Sequence, residues 1–370
     1  MDFELAPELL DLQAEALEVG RTAAAQSTLT EDTWIAAPDR SFSLELAKRG
    51  WLGMTWPTEV GGGGRSPLER FIVYEALLTT GAPMATSWFA DRQMGPTLLQ
   101  FGTPEQQREH IPRILDGTSA WSIGMSEPDA GSDVASIRTK AVREGDHFVV
   151  NGQKIWNSGA MSADWIYLIC RTDPDAPAHK GMSELIVDMR SPGISITPIE
   201  DMTGNNHFCE VFFEDVRVPV ESLVGELNGS FSQVMRQMEH ERGGPDRLLS
   251  NRKLYDDCLA VADTGNPLVR QEIAAIETGY RIGRLLVLRE VMGQAPKQFS
   301  AATKTFCTEL EQRIAQLCAA TLGPSALLVE PGLGGRVARN VCYAPAYTIM
   351  GGTSQILRNI LGERVLGLPR

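Results

Sequence analysis

Hydrophobic positions change their spacing twice along this chain of 370 residues. Up to about residue 118 they recur at three- and four-residue intervals, as amphipathic helices require. Two helix starts are explicit. In SPLERFIVYEALL, Ser66 is the N-cap, Pro67 the first helical residue and Glu69 the reciprocal partner of a capping box. TPEQQREHIPRILDG repeats the device with Thr103, Pro104 and Gln106, and Gly117 stands where a helix-ending glycine is expected. From about 119 to 226 the period becomes two, with β-branched residues, in HFVVNGQKIW, WIYLICRT, SELIVDM, GISITPI and HFCEVFFEDVRVPV. Asn151-Gly152 predicts a hairpin turn. Broken alternation through Phe208, Glu210, Phe212 and Asp215 predicts a bulge near 212–214. After about 227 helical spacing returns, interrupted at Gly243-Gly244-Pro245, Gly265-Asn266-Pro267, Gly323-Pro324 and Pro331-Gly332. The expectation is an α+β fold in three consecutive parts: 1–118 helical, 119–226 mostly antiparallel strands, 227–370 helical.

Composition narrows the class. A content of 43% hydrophobic and 22% charged residues is that of an ordinary soluble chain. The net charge of -13 argues against a nucleic-acid partner, which would want a basic face. No run approaches a membrane span. MDFELAPELLDL is acidic and lacks a basic n-region, so it does not read as a signal, and a cytoplasmic location is expected. The cysteines are scattered without CxxC spacing, which reads as reduced core thiols and no metal site. In WPTEVGGGGRS no GK[ST] follows the glycines, so they read as a connector and not a phosphate cradle.

Three stretches carry candidate chemistry. Ser126-Glu127-Pro128-Asp129-Ala130-Gly131-Ser132-Asp133 sets hydroxyls, a proline and a glycine in one turn, which fits a tight surface turn or a bed for a phosphate or ring edge. KIWNSGAMSADW places Trp156 beside Asn157 and Ser158, a packed strand tryptophan or a flat wall with small donors. YTIMGGTSQI breaks the last helical part with Gly351 and Gly352, which leave room for close approach to the backbone. A flat redox cofactor needs an aromatic wall and hydroxyl donors together, and the combination supplies both.

In this order and spacing, SEPDAGSD, NGQKIWNSG and GGTSQILRNILGERVLGLPR resemble the acyl-CoA dehydrogenase family of flavoproteins over essentially the whole chain. The resemblance implies an N-terminal helical domain, a middle antiparallel β-barrel-like domain and a C-terminal four-helix bundle. It implies FAD between the last two, within a homotetramer or homodimer. The implied reaction is α,β-dehydrogenation of an acyl-CoA thioester to the 2-enoyl-CoA. A carboxylate takes the α-proton, the β-hydride passes to flavin N5, and electrons leave through an electron-transfer flavoprotein. Position by position, Ser126 matches a hydroxyl at the flavin ring, with Met125 as a backbone contact, and Ser132 a hydroxyl near the FAD phosphates. Trp156 matches the tryptophan against the isoalloxazine and Ser158 the donor near N5. Gly352, Thr353 and Gln355 fall on the cofactor-holding turn, with Thr353 and Gln355 toward the adenosine half.

Many members carry a glutamate just before the Gly-Thr of that turn, where this chain has Gly351. Others place the base beside an arginine on the first helix of the C-terminal domain, and the matching pair is Glu241-Arg242. At about 100° per residue, Phe231, Val234, Met235 and Met238 form one apolar stripe of that helix. Arg242 lies within roughly 30° of its centre and Glu241 about 70° away, whereas His240 points to the opposite side. A carboxylate at the edge of an apolar face loses hydration, which suits it to accept a proton at neutral pH. Glu241 is therefore the expected base, with Glu239 the weaker substitute, and Arg242 and Gly351 are expected at the substrate.

Two departures from the family pattern affect assembly. NRKLYDDCLAVADTGNPLVRQ lacks the Arg-x-x-Phe-Gly stretch that grips a neighbour's FAD, and the glycine-rich stretch near the end is reduced to ATLGPSALLVEPG. They leave open a heteromeric assembly with a related chain. An oxidase or monooxygenase on the same fold, and a non-catalytic partner subunit, are the rival readings.

Overall fold

The computed structural model describes residues 5–29 and 31–369, with the side chains of 236–241 excepted. Along the chain the order is helical, sheet, helical, as the spacing of apolar positions predicts. Two compact units group these parts. One joins Met1–Trp34, Arg65–Pro83 and Glu239–Arg370, and the other joins Ile35–Gly64 and Met84–Met238. The first helical part is thus divided between two cores.

The sheet unit holds β1 (Trp121–Gly124), β2 (Lys140–Glu144), β3 (His147–Lys154), β4 (Trp165–Arg171), β5 (Met182–Asp188), β6 (Ile194–Ile199), β7 (Phe208–Pro219) and β8 (Leu223–Val224). Their order is β6-β7-β3-β2-β4-β5-β8, with β1 on β4. Two features correct the expected antiparallel barrel. The sheet does not close among the described residues, and β4 pairs in parallel with both β1 and β2. β4 serves as a junction, and its sequence shows why. WIYLICR is apolar without alternation because both faces are covered. Tyr167 and Ile169 enter a core with Leu98, Ile111 and Ile114 of the helices Gly95–Phe101 and Pro104–Leu115. Ile166, Leu168 and Cys170 enter a second core with Phe148, Val150, Val211 and Phe213. Helices cover one face of β4 and the sheet's own strands fold over the other.

Asn151-Gly152 is not the hairpin turn. Gly145-Asp146 joins β2 to β3, with Gly145 at φ 65°. Asn151 lies inside β3, where Val150 and Gly152 face Val216 and Phe213, so the extra residue of the bulge falls at 214–215. The Asn151 side chain fastens that bulge: Nδ2 donates to Asp215 Oδ1 and Oδ1 accepts from Asp215 N, both over 3.0 Å. A Cβ at Gly152 would come within 2.7 Å of Thr139 Cα. The same dipeptide that suits a turn here serves a bulge and a close strand approach.

Both predicted capping boxes are present, at Ser66–Glu69 before the helix Pro67–Thr80 and at Thr103–Gln106 before Pro104–Leu115. In the helical unit the helix Ser300–Leu322 packs against Pro267–Val291 and Leu333–Tyr343. Pro267–Val291 starts at the predicted break, capped by the Asn266 side chain on Leu268 N. All six cysteines are free thiols, five of them buried. Among the described residues no helix is long and apolar enough to cross a membrane.

Candidate functional site

In the sheet unit the turn after β1 and the segment leaving β3 lie side by side. Ile155 N donates to Ser126 O over 3.0 Å, Asn157 Nδ2 to Ile123 O over 2.7 Å, and Ser122 Oγ to Ser158 O over 3.0 Å. Met125, Ser126, Trp156 and Ser158, proposed from sequence as one site, therefore share one strip. Ser132 stands further along the turn, exposed.

A buried ion pair locks the strip. Lys154 is fully buried, and its Nζ donates to Glu127 Oε1 over 2.8 Å and to Met125 O over 3.0 Å. Glu127 also accepts from Arg138 N over 2.6 Å and Thr139 N over 2.8 Å. Burial alone would raise the Glu127 pKa, but the Lys154 ammonium and these hydrogen bonds outweigh it and hold the carboxyl below its ordinary range. Neither residue was singled out by sequence reasoning. The signal was parity: Lys154 shares a strand face with buried Phe148 and Val150.

Trp156 is the unusual member of the strip. Its backbone is left-handed, at φ 63°, and its side chain is 54% exposed, held edge-on to Phe208 with ring centroids 5.6 Å apart. A bulky residue in this conformation costs about 1–2 kcal/mol, and such strain concentrates at functional sites. An exposed indole on the same strip as Ser126 and Ser158, whose side chains carry hydroxyls, fits a flat heteroaromatic group. The donor set fits a flavin.

In the helical unit the glycine turn is held through its carbonyls. Gly351 and Gly352 have φ of 64° and 97°. Arg242 Nε donates to Gly351 O over 3.3 Å. Lys304 Nζ, fully buried on Ser300–Leu322, donates to Gly352 O over 3.1 Å and Tyr347 O over 3.3 Å. A Cβ at Gly352 would sit 3.2 Å from Arg242 Nη2, so the second glycine makes room for the guanidinium. Thr353 is the N-cap of the helix Ser354–Ile360, accepting from Ile356 N over 3.2 Å. Its hydroxyl keeps a proton to donate elsewhere. Gln355 follows, exposed on the first turn of that helix.

Behind the turn runs a buried polar chain. Asn340 Nδ2 donates to Tyr347 Oη over 2.8 Å, Asn251 Nδ2 to Asn340 Oδ1 over 3.1 Å and to Glu311 O over 2.9 Å. Glu311 Oε1 accepts from Ser250 N over 2.9 Å. Burial pushes the Glu311 carboxyl up to about 8. Sequence reasoning missed Lys304 and Glu311 too, although they stand seven residues apart on the face that also buries Cys307.

The helix Ser230–Arg242 brings its last residue, Arg242, to the turn, while the side chain of Glu241 lies outside the described residues, as do those of Glu239, His240 and Met238. Phe231, Val234 and Met235 of the predicted stripe pack into the core that contains Tyr167.

Three family models match in sequence order: the acyl-CoA dehydrogenase N-terminal domain over residues 10–118, the middle domain over 122–216 and the C-terminal domain over 231–366. The chain is 36% identical over 341 residues to acyl-CoA dehydrogenase IpdE1 of Mycobacterium tuberculosis, covering 90% of this chain and 88% of that protein. It is 34% identical over 393 residues to acyl-CoA dehydrogenase FadE29 of the same organism, covering 100% and 99%. Among solved structures, the steroid ACAD Tcur3481-Tcur3483 superposes with a TM-score of 0.90 at 32% identity, covering 100% of each chain. The ChsE4-ChsE5 complex from Mycobacterium tuberculosis gives 0.86 at 33% identity, again over 100% of each.

Proposed function

The chain belongs to the acyl-CoA dehydrogenase family, and on that basis we propose that it binds FAD and dehydrogenates a bulky, steroid-derived acyl-CoA thioester, with Glu241 as the proton acceptor. One observation carries the assignment of the base. Arg242 donates to the carbonyl of Gly351, the position where many members hold their glutamate, so the backbone of residue 241 lies one residue from that tether. Glu241 is the carboxylate proposed to take the part that the turn, with Gly351 in place of an acid, does not supply. Arg242 fixes the turn and contributes positive charge near the thioester, where enolate character develops. Gly351 and Gly352 keep the backbone open to the substrate.

Bound FAD would supply the acceptor for the hydride leaving Cβ. Met125, Ser126, Trp156 and Ser158 would hold its ring, and Ser132, Gly352, Thr353 and Gln355 its remaining polar groups. The steroid-derived acyl group rests on the likeness over the full chain to Tcur3481-Tcur3483, a steroid ACAD. An electron-transfer flavoprotein is the proposed electron acceptor. A second copy, or a related chain as in the two-component ChsE4-ChsE5 complex, is proposed to complete the assembly, which we place in the cytoplasm.

Anaerobic mixing with straight, branched, aromatic and steroid-derived acyl-CoAs tests the reading through flavin absorbance. Rapid bleaching by the bulky thioesters is expected. Glu241→Gln should retain FAD and bleach about 10²–10⁴-fold more slowly. A Glu241→Gln protein that bleaches as fast as its parent overturns the base assignment.

A further inference from the structure

The division of the chain between the two units falls inside the helix Ser230–Arg242, between Met238 and Glu239. The last residue of this helix, Arg242, is tethered to Gly351 O within the helical unit. Its first turns are tethered within the sheet unit by a contact of another kind. Gln233 is buried, and its Nε2 donates to Glu184 Oε2 over 2.7 Å and to Val224 O over 3.4 Å. Tyr167 Oη donates to the same Glu184 oxygen. Glu184 on β5 and Tyr167 on β4 are both fully buried.

The surroundings are shaped to this amide. Gly225, just after β8, has φ 73°, and a Cβ there would lie 2.1 Å from Gln233 Oε1 and 2.7 Å from Nε2. The lead-in to the helix is pinned as well. Asn228, left-handed at φ 64°, donates from its N to Ser183 Oγ over 2.8 Å and accepts at Oδ1 from Thr172 Oγ1. Beside Gln233, the fully buried Val234 enters the core that holds Tyr167. Apolar packing is non-directional and leaves a helix some freedom to rotate and tilt. A hydrogen bond from a buried amide to a buried carboxyl depends on distance and angle, and removes that freedom.

Leverage makes this contact matter for chemistry. Residue 241 lies about 12 Å along the axis from residue 233, at 1.5 Å per residue. A tilt of about 5° pivoting on Gln233 moves it by about 1 Å, and a misplacement of that size can cost about 10²-fold in rate. We propose that Gln233 and Glu184 are positioning residues for the proton transfer, their contact setting the tilt and rotation of the helix and hence the place of residue 241. The proposal rests on Glu241 as the base and adds the device that aims it.

The test uses FAD-loaded, full-length protein and the acyl-CoA that bleaches the parent fastest. Gln233→Leu removes the donor at similar volume. Its limiting rate of flavin bleaching should fall about 10–100-fold, while the half-saturating thioester concentration stays within about twofold. Gln233→Glu sets two carboxyls together and should also slow, and adding Glu184→Gln restores an amide–carboxyl pair and should recover the rate. In a Glu241→Gln background, Gln233→Leu should slow bleaching by less than about twofold further, since the residual reaction no longer uses the base. Slowing that multiplies in that double variant, no slowing by Gln233→Leu, or no recovery in the exchanged pair overturns the positioning role and leaves Glu241 as the base. A second readout needs no turnover. Amide hydrogen exchange across 234–242 should quicken about tenfold in Gln233→Leu and return to the parental rate in the exchanged pair. Unchanged exchange overturns the anchoring. If Glu241→Gln bleaches like its parent while exchange responds to Gln233, the base assignment falls and the anchoring of the helix stands.

Discussion

Two glutamates are buried, one under the strip of the sheet unit and one behind the glycine turn of the helical unit, and the protein treats them oppositely. Glu127, under the strip that carries Trp156, meets the Lys154 ammonium at 2.8 Å and is held ionised. Glu311, at the end of the polar chain behind the glycine turn, accepts from Ser250 N, and burial raises it to about 8, so its carboxyl keeps its proton near neutrality. The sheet strip is thus fixed by a compensated charge pair, and the turn by cations on carbonyl oxygens with a neutral acid behind them. The consequence is a division of sensitivity. Losing a partner strands a charge in the first case, whereas in the second a change of pH alone creates one.

The largest expected effect breaks the first arrangement. Lys154→Met should cost about 3–5 kcal/mol in denaturant unfolding, because the Glu127 carboxylate is left buried and unpaired. Adding Glu127→Gln to that variant should recover most of the loss. A single variant within about 0.5 kcal/mol of its parent would show that the pair contributes nothing.

The second effect sharpens the contrast through pH. The folded pKa of Glu311 lies above its ordinary value of 4.5, at about 8. The unfolded state therefore releases this proton first, and the stability Glu311 confers is full below pH 4.5 and lost as pH rises through 8. The loss should be on the order of 5 kcal/mol across that window, and Glu311→Gln should flatten it in melting curves collected from pH 5 to 9. His207 acts at the other end of the scale. Burial lowers its pKa from 6.5 to about 4, so its contribution is present above 6.5 and lost as pH falls through 4. A Glu311→Gln profile parallel to its parent between pH 5 and 8 would sink the assignment.

The smallest effect probes the turn. Gly352→Ala places a Cβ 3.2 Å from Arg242 Nη2 at a φ of 97°, and should cost about 1–2 kcal/mol in thermal unfolding. It should also slow flavin bleaching, because Arg242 must shift. Unaltered bleaching would separate the turn from the reaction.

Legibility along the chain followed how local each feature is. Capping boxes at Ser66 and Thr103 form within four residues, so their sequence sufficed. Asn151-Gly152 misled because a turn and a bulge ask for the same two residues, and only the register of β3 against β7 separates them. Strand parity marked Lys154 as inward-facing, but its partner Glu127 lies 27 positions away across a turn. The contact of Gln233 with Glu184, 49 positions apart, is invisible in one dimension, since it depends on how the helix lies against β5.

The pattern of apolar residues was enough to set the helical, sheet and helical order, because helix and strand periodicities arise from backbone geometry that every residue shares. Motif spacing was enough to name the family. The fold alone settled that β4 is a junction buried on both faces, that Trp156 stands exposed on a strained backbone, and that Arg242 reaches Gly351. Each depends on contacts between residues distant in sequence, whose energies exist only once the chain has folded.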